Sequence, residues 1–196
     1  MAVPSIALAY KRTALMKATK VTVKPPSEEV LQARDNFQAF CTFMGKPPAK
    51  HMLEWHNELC TGEESECLMG ISGPNTVILA PRGSAKSTVL GLFAAWMIGR
   101  HTAAKQMLRT LYIAYMVDIS RAKSATIKGI LTSSKYREVF PMVRLSKIKR
   151  SDEYWSIDYD FAGIDTAGEE AFTIACGGLI GPNTPCLLYT SPSPRD

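Results

Sequence analysis

Thr76-Val77-Ile78-Leu79-Ala80-Pro81-Arg82-Gly83-Ser84-Ala85-Lys86-Ser87-Thr88 is the stretch that decides the fold class. Thr76 to Leu79 combine β propensity with apolar character, which predicts a strand buried in a sheet. Ala80 to Ala85 read as a tight loop, and Lys86-Ser87-Thr88 as the opening turn of a helix. A strand, a loop and a helix start in that order expose backbone N–H groups in a concave nest. The nest and the positive end of the helix together favour phosphate oxygens. The layout is that of a cradle for the phosphates of a nucleoside triphosphate. In such a cradle Lys86 reaches the β- and γ-phosphates and the Ser87 hydroxyl holds Mg²⁺. The common pattern is G-x-x-x-x-G-K-[ST]. Here alanines, Ala80 and Ala85, replace both outer glycines, and one glycine sits inside at Gly83. Alanine before the lysine restricts positive φ and crowds the anion.

The next residues, Val89-Leu90-Gly91-Leu92-Phe93-Ala94-Ala95-Trp96-Met97-Ile98, are apolar all round. A helix apolar on every side is a buried one. It is too short to span a membrane, which takes about 20 residues. Gly99-Arg100-His101 is expected to end it.

Ala80 to Thr88 resembles the variant Walker A loop of the large terminase subunits of tailed bacteriophages, the ATPase motors that pump DNA into empty procapsids. The shared traits are an arginine inside the cradle and a small residue for the glycine before the lysine. Leu111-Tyr112-Ile113-Ala114-Tyr115 followed by a polar helix, Tyr136-Arg137-Glu138-Val139-Phe140-Pro141, and Phe172-Thr173-Ile174-Ala175-Cys176-Gly177-Gly178-Leu179-Ile180-Gly181 are also similar to that family. In the last segment the family has a strand and a glycine turn. The resemblance covers roughly residues 28–185. It implies an α/β P-loop NTPase fold of the RecA/ASCE-like kind, with a mainly parallel central sheet flanked by helices. It implies ATP and Mg²⁺ as cofactors, with nucleotide held by Pro81, Arg82, Gly83, Ser84, Ala85, Lys86, Ser87 and Thr88. Lys86 and Arg82 would be catalytic. Trp55 or His56 would stack on the adenine. Double-stranded viral DNA, the portal and the small terminase subunit would be partners, in a ring of identical subunits in the host cytoplasm.

Arg82 has its own reading. A guanidinium in a phosphate loop suits bidentate contact with phosphate. It can stabilise transition-state charge as an arginine finger does, or simply brace the loop.

Cys186-Leu187-Leu188-Tyr189-Thr190-Ser191-Pro192-Ser193-Pro194-Arg195-Asp196 looks like the translated read-through of a sequencing-library adapter. Residues 186–196 are therefore expected to be foreign. Hydrolysis coupled to work needs an acidic strand end for Mg²⁺ and a carboxylate to activate water. No apolar strand ending in Asp-Asp or Asp-Glu follows Lys86. Asp152-Glu153 and Glu169-Glu170 read as loop charges. The expectation is a partial ATPase domain over residues 27–185, lacking the Walker B strand and the nuclease domain of the family, and inactive alone. Two other readings stay open: another P-loop motor such as a helicase-like ATPase, or a non-catalytic basic DNA-binding module.

Composition agrees with one core-forming domain: 46% of the 196 residues are hydrophobic and the net charge is +5. A mild basic balance suits a nucleic-acid partner. Of the five cysteines, Cys41, Cys60, Cys67 and Cys176 form no C-x-x-C pair and read as reduced and buried. His51 and His56 are not spaced as helix-face metal ligands and read as surface residues.

Residues 1–26 hold five Lys/Arg and no acid, which predicts a flexible basic arm. Ser27 reads as the cap of an amphipathic helix carrying Val30, Leu31, Ala33, Phe37, Phe40, Cys41 and Met44. A second helix is expected from about Ala49 to Cys60, then an acidic loop over Thr61 to Glu66. Thr110 to Tyr115 reads as a parallel strand. The helix after it, capped by Asp118 or Ser120, carries Ile119, Ala122, Thr126, Ile127, Ile130 and Leu131 on one face and Arg121, Lys123 and Lys128 on the other. Ser133-Ser134 breaks it. Leu145 to Arg150 reads as a basic loop and Tyr154 to Asp158 as an antiparallel edge strand.

Overall fold

A computed structural model describes residues 26–59, 79–166 and 172–180. The basic arm up to residue 25, Cys60, the acidic loop, Cys67, the strand residues Thr76 to Ile78, Glu169-Glu170 and the tail 186–196 lie outside them. The described residues form an α/β structure. Its helices are α1 (Glu28–Asp35), α2 (Phe37–Phe43), α3 (Leu53–Leu59), α4 (Lys86–Ala103), α5 (Val117–Thr132), α6 (Ser134–Val139) and α7 (Tyr159–Ala162). Its strands are β1 (Thr110–Met116), β2 (Leu145–Arg150), β3 (Tyr154–Ile157) and β4 (Ile174–Ile180). The sheet runs β1-β4-β3-β2. β1 and β4 pair in parallel, with Thr110 opposite Ile174. β3 pairs antiparallel with β4 and with β2. The sheet is thus mixed rather than mainly parallel.

Helix α4 is the pillar. None of Val89 to Ile98 is exposed, as an all-apolar sequence requires. It does not stop at Gly99. The helix runs on to Ala103, and Lys105, at φ 60°, makes the left-handed turn after it. Gln106 N–H then bonds the His101 carbonyl at 2.8 Å, satisfying a helix-end acceptor. Gly99 serves packing instead: a Cβ there would lie 2.4 Å from the Phe140 ring. Two long-range bonds pin the same stretch. The Trp96 indole donates to the Ala33 carbonyl at 3.2 Å, and the buried Tyr136 hydroxyl donates to the Ala95 carbonyl at 2.8 Å.

The expected first helix is two. Asn36 ends α1 in extended backbone and caps α2, its side chain accepting from Ala39 N–H at 2.9 Å. An Asn side chain competes well for an orphan N–H, so the chain breaks there. Ser27 stands at the cap position of α1 but makes no side-chain cap bond. The stripe is core at Val30, Ala33, Phe37, Phe40 and Cys41, while Leu31 is exposed. Phe40, Tyr136 and Phe140 pack ring on ring at 5.3–6.2 Å.

Helix α5 covers one face of the β1–β4 pair. Its buried residues are Ser120, Ser124, Ile127 and Leu131, so Ile119, Ala122 and Thr126 fall outside the expected face. Serines suit this face because the sheet comes close. A Cβ on Gly178 would stand 2.7 Å from Val117 N, and the Trp155 indole donates to Ser124 Oγ at 2.7 Å. Gly177 and Gly178 therefore sit inside β4, not in a turn. Neither Asp118 nor Ser120 caps α5. Met116 holds the cap position, Asp118 pairs with Arg121 at 2.9 Å, and the Ser120 hydroxyl donates to the Val117 carbonyl at 2.7 Å.

Leu145 to Arg150 is a strand, and it forms the sheet edge. β3 lies inside, with Trp155, Ser156 and Ile157 buried. Asp152 and Glu153 do sit in the intervening loop, where Asp152 pairs with Lys128 at 2.7 Å and Glu153 with Arg121. On the other side of β1, Leu111, Ile113 and Tyr115 are 49–62% exposed, the alternation of a strand covered on one face. Among the described residues no helix is long and apolar enough to cross a membrane.

Candidate phosphate-binding site

Two left-handed residues shape the loop before α4. Gly83 has φ 86° and Ala85 has φ 57° and ψ 16°. Between them Ser84 folds back on Pro81: its hydroxyl donates to the Pro81 carbonyl at 2.8 Å, and its N–H approaches the same oxygen at 3.5 Å. Ala85 occupies the cap position of α4. Its carbonyl accepts from Thr88 N–H at 2.9 Å and from Val89 N–H at 3.0 Å. No side chain caps this end. The N–H groups of Lys86 and Ser87 are then the orphan donors of a helix start, at its positive pole.

The Lys86 ammonium turns back into the loop, donating to the carbonyls of Ala80 at 2.9 Å and Pro81 at 3.1 Å. A cation held by two neutral carbonyls can exchange them for charged phosphate oxygens, which form stronger bonds. Around Gly83 there is open space, since a Cβ placed there meets nothing within 4 Å. Ser87 and Thr88 are exposed, as is Arg82, which makes no ion pair among the described residues. Of the expected nucleotide-binding residues, Pro81 to Ala85 form the loop and Lys86, Ser87 and Thr88 the first turn of α4.

Leu79 departs from expectation. It lies in no strand and is 90% exposed. Strand propensity buries a side chain only where neighbouring strands receive it, and no described strand stands beside Leu79.

A cavity of about 220 Å³ adjoins the first turn of α4, lined in part by Lys46, Ser87, Thr88, Tyr112 and Lys123. Lys46 follows α2, Tyr112 is on β1 and Lys123 on α5, so three distant segments add two cations beside Ser87. Lys46 stands in no motif, and Tyr112, within the strand run Leu111 to Tyr115, carries no local signal that it lines a cavity. Burial raises the Tyr112 phenol above its ordinary range, so it remains a hydroxyl.

Trp55 and His56 do not line this cavity. Trp55 is half-buried, edge-on to His51 at 5.6 Å. His56 is a core residue, not a surface one: it is 2% exposed, with its ring centroid 4.5 Å from that of Phe37. Its ring nitrogens have no hydrogen-bond partner among the described residues, and burial lowers its pKa. The ring is therefore neutral and apolar in effect, and it packs as an aromatic.

Among the described residues no three His, Cys, Asp or Glu side chains gather as a metal site. Ser87 offers one hydroxyl. Mg²⁺ demands near-octahedral oxygen ligation and keeps phosphates and waters among its ligands. The donor set fits the ion only as a companion of bound phosphate. Cys41 is buried and Cys176 half-buried, with neither in a disulfide. No protein-family model, curated protein or solved structure matches the chain.

Proposed function

We propose that this chain carries the ATP-phosphate site of a P-loop motor of the large terminase kind, whose full-length form couples ATP hydrolysis to movement of double-stranded DNA. One observation carries the reading. The left-handed pair Gly83 and Ala85 bends the chain onto an uncapped helix start, with the Lys86 ammonium turned inward. That is the equipment of an anion nest: donors, a helix dipole and a cation stand together, and no carboxylate opposes them within the loop. The buried α4 behind it gives the donors a rigid support.

In this reading Lys86 leaves the Ala80 and Pro81 carbonyls and binds the β- and γ-phosphates. Backbone N–H groups from Gly83 to Ser87 hold the remaining oxygens. The Ser87 hydroxyl is the protein's ligand to the nucleotide's Mg²⁺, an ion that neutralises phosphate charge when bound. Arg82, exposed at the rim, approaches the γ-phosphate. Lys46 and Lys123 add field strength from the side. Trp55 remains the candidate for base stacking, since His56 is occupied by Phe37.

The test is a titration of the chain with a fluorescent ATP analogue and Mg²⁺. Saturable binding is expected, displaced by ADP and not by adenosine. Lys86→Ala should weaken it tenfold or more, about 1.4 kcal/mol. A chain that folds and binds no analogue, or a K86A chain that binds as tightly as the parent, overturns the proposal.

A further inference from the structure

A second concentration of positive charge lies away from the phosphate loop. A cleft of about 730 Å³ opens where α5, α6 and the segment after it meet the β2–β3 hairpin. Five of its lining residues are cations: Lys128, Arg137, Arg144, Lys149 and Arg150. No lining residue is an acid. Lys128 is already engaged, with Asp152 at 2.7 Å and with the carbonyls of Arg150 and Ser151. Arg137, Arg144 and Arg150 make no ion pair among the described residues.

Two of the three arginines are held in place, and the third stands exposed on a fixed helix. The Arg144 guanidinium stacks on the Phe161 ring at 3.7 Å from its centroid. Arg150 is fixed at one nitrogen, its Nε donating to the Ser146 carbonyl at 2.8 Å, which leaves the other nitrogens to an outside acceptor. Arg137 projects from α6, whose Tyr136 and Val139 are locked in the core. Trp155, 1% exposed, closes the cleft floor and cannot stack on a ligand ring. Like charges gathered in one cleft repel unless an anion sits among them. Arginine forks match phosphate oxygens in pairs.

The geometry points to a phosphate-binding cleft, separate from the loop at Lys86, that takes closely spaced phosphates and reads no base. Two sources share that chemistry, a nucleic-acid backbone and a free polyphosphate. This inference does not depend on the nucleotide reading of the loop.

Anisotropy titrations of the whole chain with a labelled single-stranded oligonucleotide, and competition by inorganic triphosphate, test it. The variants are R137A/R150A and, as a charge-matched control, K50A/K147A, two exposed lysines outside the cleft. R137A/R150A should weaken oligonucleotide binding at least tenfold. It should also flatten the salt dependence by about 1.4 in log–log slope, for two lost phosphate contacts. K50A/K147A and K86A should stay within threefold of the parent. Displacement only by millimolar triphosphate identifies the polymer backbone as the ligand. Stoichiometric triphosphate binding that persists in K86A and is lost when R137A/R150A is added to K86A identifies the free polyphosphate. Equal behaviour of R137A/R150A and K50A/K147A towards both probes overturns the proposal. Melting curves of each variant, with R137A alone as a milder second change, separate lost binding from lost folding.

Discussion

Ala85 is the residue at which sequence, strain and site meet, and its replacement tests the loop geometry most directly. Its φ of 57° places an alanine where the Cβ crowds the following carbonyl. That costs about 1–2 kcal/mol relative to the right-handed region. Glycine removes the cost but regains unfolded-chain entropy worth about 0.4–1 kcal/mol. Glycine is also the better residue at a helix cap position than alanine. Ala85→Gly should therefore stabilise the chain by about 0.5–1 kcal/mol, a rise in Tm of about 2–3 °C for a domain of this size. Ala85→Val should act in the opposite sense, because a β-branched residue in that region is a true outlier. A loss of about 1–2 kcal/mol is expected, or about 3–6 °C. Gly83→Ala is the matched control. With open space around Gly83, any loss reports the left-handed backbone at φ 86° and not a clash. The assay is thermal melting followed by far-ultraviolet circular dichroism, with the three variants beside the parent. An A85G chain that melts lower than the parent, or an A85V chain that melts with it, refutes the left-handed assignment. The nest argued from that assignment would fall with it.

Gly99→Ala should destabilise by about 1–2 kcal/mol despite alanine's better helix propensity, because the new Cβ meets the buried Phe140 ring; pairing it with Phe140→Leu should recover part of the loss. Tyr136→Phe should lower the urea midpoint by an amount worth about 1 kcal/mol with an unchanged m-value, since one buried bond to the Ala95 carbonyl is lost. His56 and His101 both have pKa values lowered by burial, with the Arg100 charge adding to the effect at His101. The unfolded chain then takes up protons first as pH falls below about 6.5. Their contribution is complete above that pH and is lost progressively as pH falls from there toward the lowered folded-state values. Urea midpoints at pH 7.5 and 5.5 should differ in that direction, and a His56→Leu chain should show a smaller difference than the parent.

The parts legible in the sequence were those where a single physical rule acts alone. An unbroken apolar run gave α4, and no tertiary accident could expose it. β1 was legible because Thr110 to Tyr115 is a short run rich in residues of high β propensity, and it pairs in parallel with β4 as expected. Reading failed where two rules compete. Lys147, Lys149 and Arg150 made β2 look like a loop, yet an edge strand tolerates charge, and Ile148 is 92% exposed there. The family resemblance implied a glycine turn at Gly177-Gly178. The absence of a Cβ was instead needed for contact with Val117. His56 looked like a surface residue because histidine usually is, but an uncharged imidazole beside Phe37 packs as a ring. For the proposed site, the loop is a local stretch of sequence, whereas Lys46, Tyr112 and Lys123 come together beside Ser87 from three distant segments. That convergence is a product of packing between segments, which no local pattern encodes.

A strained cap survives only if the structure around it leaves the chain no alternative. Here the restraint comes from further along the same helix. Trp96 is tied to Ala33 in α1, Ala95 to Tyr136 in α6, and Gly99 is pressed against Phe140. These contacts fix the axis and rotation of α4 from its second half, and with them the direction in which its first N–H groups point. The loop then has to enter the helix at the angle that the core dictates, and the left-handed turn at Ala85 follows from that constraint. Stability and the proposed binding are in this way placed at opposite ends of one element. The buried end holds the helix, and the exposed end presents donors that need not move to meet an anion. An alanine tolerated at this cap is thus evidence of how firmly the rest of α4 is held.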